Sequence, residues 1–184
     1  ADPGTYVLYV GQAFERRHLR ESLAAFTELA AEDPALRFCI IGPDRYEPPM
    51  IAETVRHLNH RLGRTAVSWR PQVSDDALAA AYRGARTLVY VSDTEAFGLP
   101  PLEALSYGTP AILADVPVTR EIFGDHAFFV PSRDVDALAA TFRRALSDTA
   151  ARARIRDAAP RILARHSWTR FAERFLATVN DMTR

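Results

Sequence analysis

Short, continuous apolar runs of β-forming residues, separated by segments with helical spacing, limit most strongly how this chain can fold. The runs are Tyr6–Val10, Phe38–Ile41, Ala66–Trp69, Thr87–Val91, Ala111–Leu113 and Ala127–Val130. A strand without polar alternation must be covered on both faces, which is the condition of a parallel sheet. Leu19–Ala31, Pro49–Leu62 and Asp75–Gly84 follow the first three runs and repeat their apolar residues at helical intervals. Strand and helix in alternation predict an α/β fold: a Rossmann-like, doubly wound parallel sheet of about six strands with helices on both faces.

The 184 residues suffice for one complete core, so a single domain over residues 1–184 is expected. Ala1-Asp2-Pro3-Gly4 reads as a linker remnant. Beyond Pro131 the strands stop, and helices are expected at Val135–Leu146, Ala151–Ala164 and Trp168–Asn180. Pro160 should break or kink the middle one, because it lacks an N–H and its ring crowds the preceding turn.

Charge excludes some partners. The chain has 23 basic residues, all Arg, against 23 acids, so no global field draws it to nucleic acid or to an anionic membrane. Binding must come from a local site. The excess of Arg after residue 132, with Arg152, Arg154, Arg156, Arg161 and Arg165 in one stretch, reads as a solvated helix surface. The single Cys39 lies in an apolar run and reads as a small buried hydrophobe in a reducing, cytoplasmic setting. No apolar run is long enough to span a membrane, and none resembles a signal segment.

In an open parallel sheet, ligands bind beyond the carboxyl ends of the strands, where loops lead into helix N-termini. Two such loops are chemically unusual. In Gly11-Gln12-Ala13-Phe14-Glu15-Arg16-Arg17-His18, the guanidinium groups of Arg16 and Arg17 are suited to clamping a pyrophosphate. An exposed surface pair is the plain alternative for them. His18 adjoins the pair and is a further candidate for phosphate contact.

The second loop runs Ser92-Asp93-Thr94-Glu95-Ala96-Phe97-Gly98-Leu99-Pro100-Pro101-Leu102-Glu103. A glycine before a helix start lets backbone N–H groups approach a phosphate. Pro then suits the helix's first turn, and Gly108 with Pro110 ends it. Glu103 is expected in the first turn, with Glu95 in the loop before it. Carboxylates accept hydrogen bonds from vicinal hydroxyls, so two of them flanking an amide nest suit a ligand with sugars on both sides of its phosphates.

Seven residues separate Glu95 from Glu103, and the stretch Glu95–Pro110 closely resembles the E-x7-E signature of family 4 retaining glycosyltransferases, which have the two-domain GT-B fold. Tyr6–Phe26 resembles that family's first strand, phosphate loop and helix, Ile40-Ile41-Gly42-Pro43 its second strand, and Asp75–Ala85 a characteristic helix. The resemblance covers nearly the whole chain and implies the C-terminal, donor-binding half of such an enzyme.

Carried over, the likeness implies that Glu103 binds ribose hydroxyls and Glu95 the transferred sugar. Phe97, Gly98 and Leu99 would offer backbone groups, Gly11 would begin the diphosphate loop, and Glu95, Arg16 and Arg17 would serve catalysis. The base would lie against Gly42–Arg45 and Arg70–Val73, at Pro43 and Val73. The chain departs from the family pattern at Arg17, where Lys is usual, and at Gln12. The likeness further implies retention without a metal or other cofactor, and a GDP-mannose donor or another nucleotide-diphosphate hexose. It implies an N-terminal acceptor-binding domain outside this chain, with peripheral membrane contact through the full-length protein. Residues 166–184 would be a C-terminal crossover helix. A non-catalytic module that keeps this fold for partner binding is the alternative.

Two further patterns have plainer readings. Asp134-Val135-Asp136 matches a metal-binding Asp-x-Asp, but it opens a predicted helix, where Asp is a preferred cap. His57 and His60 share a helix face, yet no third ligand stands at a metal-site spacing. Gly-x-Gly-x-x-Gly, Walker and Gly-x-Ser-x-Gly motifs do not occur.

Overall fold

In the computed structural model, which describes Gly4 and residues 6–182, all six apolar runs are strands of one sheet. They are β1 (Tyr6–Val10), β2 (Arg37–Ile41), β3 (Val67–Arg70), β4 (Thr87–Tyr90), β5 (Ala111–Ala114) and β6 (Phe128–Val130), each starting or ending within a residue of the expected run. The helices are α1 (Leu19–Glu32), α2 (Ile51–Arg61), α3 (Asp75–Gly84), α4 (Leu99–Ser106), α5 (Pro117–Phe123), α6 (Val135–Ser147), α7 (Thr149–Arg165) and α8 (Trp168–Met182). Spatial order is β3-β2-β1-β4-β5-β6, and every neighbouring pair is parallel.

This order follows from the chain winding outward twice. It steps from β1 through β2 to β3, returns to lay β4 beside β1, and then steps the other way. Right-handed crossovers put the connecting helices of the two halves on opposite faces. Accordingly α1 packs on α6, while α4 packs on α3 and α7. Between the layers lie fully buried Leu8, Tyr9, Phe26, Phe38, Leu88, Phe128 and Phe142, each contributing about 1.5–3 kcal/mol by leaving water. Phe26 of α1 meets Phe38 of β2 edge to face at 5.2 Å.

Several expectations are corrected. Helix α7 runs unbroken through Pro160, because Ala151, Ile155, Ala158, Ala159 and Ile162 form a buried stripe on both sides of it. That packing outweighs the roughly 3 kcal/mol a helix-interior proline costs. Helix α5 was not expected; its seven residues are too few to display a helical period. Thr119 closes its start, accepting from the Val116 N–H (3.3 Å) and donating to the Ala114 carbonyl (2.6 Å). Cys39 is half-buried rather than buried; it lines a cleft with Tyr6, Ser68 and Arg70 beside α3, and burial pushes its thiol up. As expected, Asp134 is the cap of α6, its Oδ1 accepting from the Ala137 N–H at 2.8 Å. Of the expected linker, residues 1–3 lie outside the described residues.

The final helix differs from the rest. No residue of α8 is buried. Trp168, Phe171, Phe175, Leu176, Val179 and Met182 put a row of apolar side chains on its surface, with Trp168 79% exposed and Met182 81%. A helix that buries nothing contributes little to the core. Deleting residues 168–184 should therefore shift the melting temperature of the domain by less than about 3 °C, the equivalent of about 1 kcal/mol at this size. A larger drop in differential scanning calorimetry would mean that α8 packs on its own domain.

Candidate active site at the sheet switch point

Strands β1 and β4 are neighbours whose connections leave in opposite directions, so the loops at their carboxyl ends diverge and open a crevice. Both chemically unusual loops are there. The β1 loop starts at Gly11, whose φ of +122° suits only glycine, and whose N–H continues the ladder to the Ile41 carbonyl at 2.9 Å. A Cβ on Gly11 would stand 2.8 Å from Arg17 Nη1.

Beneath it lies Gly42, at φ +135°, so close to the Gly11 carbonyl that a Cβ would overlap it. The Trp69 indole N–H donates to the Gly42 carbonyl (2.8 Å) and the Gly42 N–H to the Arg70 carbonyl (3.0 Å). Pro43 accepts from the Ala13 N–H (3.0 Å), and Asp44 takes the N–H groups of Tyr46, Met50 and Ile51, fixing the entry to α2. Pro43, in the loop after β2, and Val73, in the loop after β3, are both half-buried.

The Arg pair divides. Residues Glu15–Arg17 form a 3-10 turn, and both guanidinium groups lie over the Phe14 ring, Arg16 at 4.3 Å and Arg17 at 5.9 Å from its centroid. Arg16 is the more exposed of the two. Arg17 turns inward, 14% exposed. Its Nε donates to Glu95 Oε1 at 2.8 Å, its Nη1 to the Gln12 carbonyl at 3.0 Å, and its guanidinium lies 5.1 Å from the Tyr90 ring centroid. Those two bonds use two of the five guanidinium donors, and the rest can turn to an anion.

Glu95 is 13% exposed. Burial alone would raise its carboxyl, but the Arg17 hydrogen bond and charge, with the Tyr90 and Ser92 hydroxyls, bring it below the ordinary carboxylate range. It is ionised and oriented. Burial also pushes the Tyr90 hydroxyl up, so it stays protonated beside the pair.

Helix α4 begins after Gly98, the N-cap, at φ +83°. Pro100 and Pro101 occupy its first turn, so the amides it can offer an anion are fewer than at an ordinary helix start. Gly98 and Leu99 carry N–H groups there, and the Leu99 side chain is 55% exposed. Phe97 is 38% exposed, and its ring meets His166 edge to face at 5.5 Å. Glu103 is not in the first turn; it lies one turn deeper, where Tyr82 of α3 donates to its Oε2 at 2.7 Å. Its carboxylate is therefore held by a tyrosine rather than by the helix dipole.

Residues that sequence reasoning passed over complete the site. Tyr82 is buried, stacks on Tyr107 at 5.7 Å, and accepts at its carbonyl from the Thr109 hydroxyl (2.6 Å). A buried tyrosine needs a hydroxyl partner, and that need is the one signal that could have led from α3 to Glu103. Asp93 gathers Ser132, Arg133 and His18. His18 is buried, with Nε2 2.9 Å from Asp93 Oδ1. Among the described residues no cluster of three His, Cys, Asp or Glu side chains is placed to hold a metal ion.

Solved structures share this architecture. The chain superposes with a TM-score of 0.85 on an alpha,alpha-trehalose-phosphate synthase from Burkholderia vietnamiensis, at 16% identity, covering 97% of this chain and 44% of that one. Against a sucrose-phosphate synthase from Thermosynechococcus elongatus the score is 0.75 at 25% identity, over 99% of this chain and 46% of that one. The domain is one half of a GT-B fold.

Residues 1–162 match the family Glycosyl transferases group 1, and the chain belongs to that family. Among curated relatives, the serotype-specific mannosyltransferase WbdA of Escherichia coli is 34% identical over 122 residues, 66% of this chain. O-antigen chain mannosyltransferase B of Escherichia coli is 33% identical over 145 residues, 78% of this chain. The chain spans 15% and 37% of the lengths of these two relatives. No helix of the described residues is long and apolar enough to cross a membrane.

Proposed function

We propose that this domain binds a nucleotide-diphosphate sugar and forms the donor half of a retaining, metal-independent hexosyltransferase. The observation that carries the reading is the Arg17–Glu95 pair, an oriented cation and carboxylate in the crevice between β1 and β4. Arg17 would receive the diphosphate, and the Gly98 and Leu99 amides would add neutral donors. Cation and dipoles in a partly dry site stabilise the charge that grows on a departing diphosphate, the task a metal performs elsewhere. Glu95 would take hydroxyls of the transferred sugar. Glu103, steadied by Tyr82, would take the ribose hydroxyls, with the base toward Pro43 and Val73.

The mannosyltransferase names of the relatives favour GDP-mannose as donor. The acceptor would be held by a second domain, toward which α8 presents its apolar row. The reading places the protein in the cytoplasm, at the membrane face only through parts outside this chain.

The test is calorimetric titration of the chain with GDP, UDP and ADP. GDP should bind most tightly. Glu103→Ala should weaken binding by about 10- to 100-fold, the loss expected when hydrogen bonds to a charged acceptor are removed. Tyr82→Phe should give a smaller loss, since it frees the carboxylate without deleting it. If none of the three nucleotides binds, the donor reading fails.

A further inference from the structure

His18 is the one non-glycine residue with positive φ among those described (φ 44°, ψ 40°). It closes the 3-10 turn, its N–H donating to the Glu15 carbonyl (3.2 Å), and it opens α1, its carbonyl accepting from the Ser22 N–H (3.0 Å) and hydroxyl (2.9 Å). Both tasks belong to the backbone, and glycine or asparagine performs them with less strain. A bulky residue held in this region points to a use for its side chain.

That side chain is buried. Nε2 stands 2.9 Å from Asp93 Oδ1 and Nδ1 3.4 Å from Glu21 Oε1. Asp93 is a hub. The Ser132 hydroxyl donates to Oδ1 at 2.5 Å and Arg133 Nη2 to Oδ2 at 3.1 Å, while the Asp93 N–H donates to the Arg16 carbonyl at 3.0 Å. The Ser132 hydroxyl, then His18 and Arg133, hold the Asp93 carboxyl down to about 2. Loops following β1, β4 and β6 thus meet on one carboxylate.

The sequence places this pair beside Arg17–Glu95. His18 follows Arg17, and Asp93 precedes Glu95 by two residues. The same two loops therefore meet three times, through the Asp93 N–H on the Arg16 carbonyl (3.0 Å), through His18 Nε2 against Asp93 Oδ1 (2.9 Å), and through Arg17–Glu95 at the crevice. The outer pair joins a long side chain, also bonded to the Gln12 carbonyl, to a loop acid also met by the Tyr90 and Ser92 hydroxyls, so its geometry depends on how the two loops lie against each other. We propose that His18 is a positioning residue: through Asp93 it fixes the register of the β1 loop against the β4 loop, and so sets Arg17 against Glu95. Through the donor reading above, on which this consequence rests, it sets the affinity for the diphosphate.

The test reads Arg17 directly. In the whole chain, the Arg17 Nε–H should give a slowly exchanging 15N–1H signal, identified by its loss in Arg17→Lys. His18→Asn keeps a residue tolerant of this backbone but its amide is too short to reach Asp93. His18→Gln places an amide nitrogen about where Nε2 stands. The expected result is Arg17 Nε–H exchange about tenfold faster in His18→Asn and in Asp93→Asn, with protection regained in His18→Gln.

A purely structural role would lower the melting temperature and leave the signal protected in every folded variant. Protection unchanged in both His18→Asn and Asp93→Asn overturns the proposal. With GDP, the same two variants should bind about tenfold more weakly than the parent chain, and equal affinity overturns the link to binding. If the parent chain binds no nucleotide, the donor reading fails, and the exchange measurement still decides the positioning role.

Discussion

Gly42→Ala should lower the melting temperature of the domain by about 10 °C. At φ +135° an L-residue is strained, and the new methyl would overlap the Gly11 carbonyl, which is backbone and cannot swing aside. Strain and overlap together should cost about 3–4 kcal/mol, and at this length each kcal/mol shifts melting by about 2–4 °C. The damage would extend to the site, because moving Gly11 also moves the floor under Arg17 Nη1. Thermal unfolding followed by circular dichroism measures the effect. A shift below about 3 °C would show that the β1 and β2 loops separate easily, and that their close approach is not what shapes the crevice.

The second large effect is expected at Arg17. Arg17→Ala should weaken GDP binding by at least about 100-fold, since it removes the cation paired with Glu95 and leaves that carboxylate ionised and 13% exposed without its partner. The bare carboxylate would then repel the diphosphate it formerly helped to frame. Arg17→Lys keeps the charge but loses the planar fork that reaches Glu95 and the Gln12 carbonyl together, and should fall between. Arg16→Ala should do much less, because that side chain is exposed on Phe14. Titration of the three variants gives the order. Equal losses for Arg16→Ala and Arg17→Ala would return the two arginines to a joint clamp.

Much of the fold was legible because its strands are buried on both faces. Runs such as Thr87–Val91 have no polar alternation to mislead, and glycine or proline ends the intervening helices. Short elements were less legible. The seven residues of α5 carry no readable period, and Pro160 looked like a stop because a proline's local cost is visible while the buried face of α7 is not.

For the site, spacing identified the two loops, and the fold brought them to one crevice. It could not tell Arg16 from Arg17, since a 3-10 turn rather than a regular helix decides which points inward. Nor could it pair Glu103 with Tyr82 or His18 with Asp93, contacts made across 21 and 75 residues of chain that depend on the sheet closing first.

The contact between Phe97 and His166 has a mechanical consequence. His166 caps α7 and stands two residues before α8 begins, so the β4 loop touches the root of a helix 15 residues long. At 1.5 Å per residue that helix is a lever of about 22 Å. A tilt of about 10° at its root carries the far end some 4 Å, whereas the Phe97 ring, on the short arm, moves by a fraction of that. Whatever seats the apolar row of α8 therefore acts on the crevice with its displacement geared down and its force geared up.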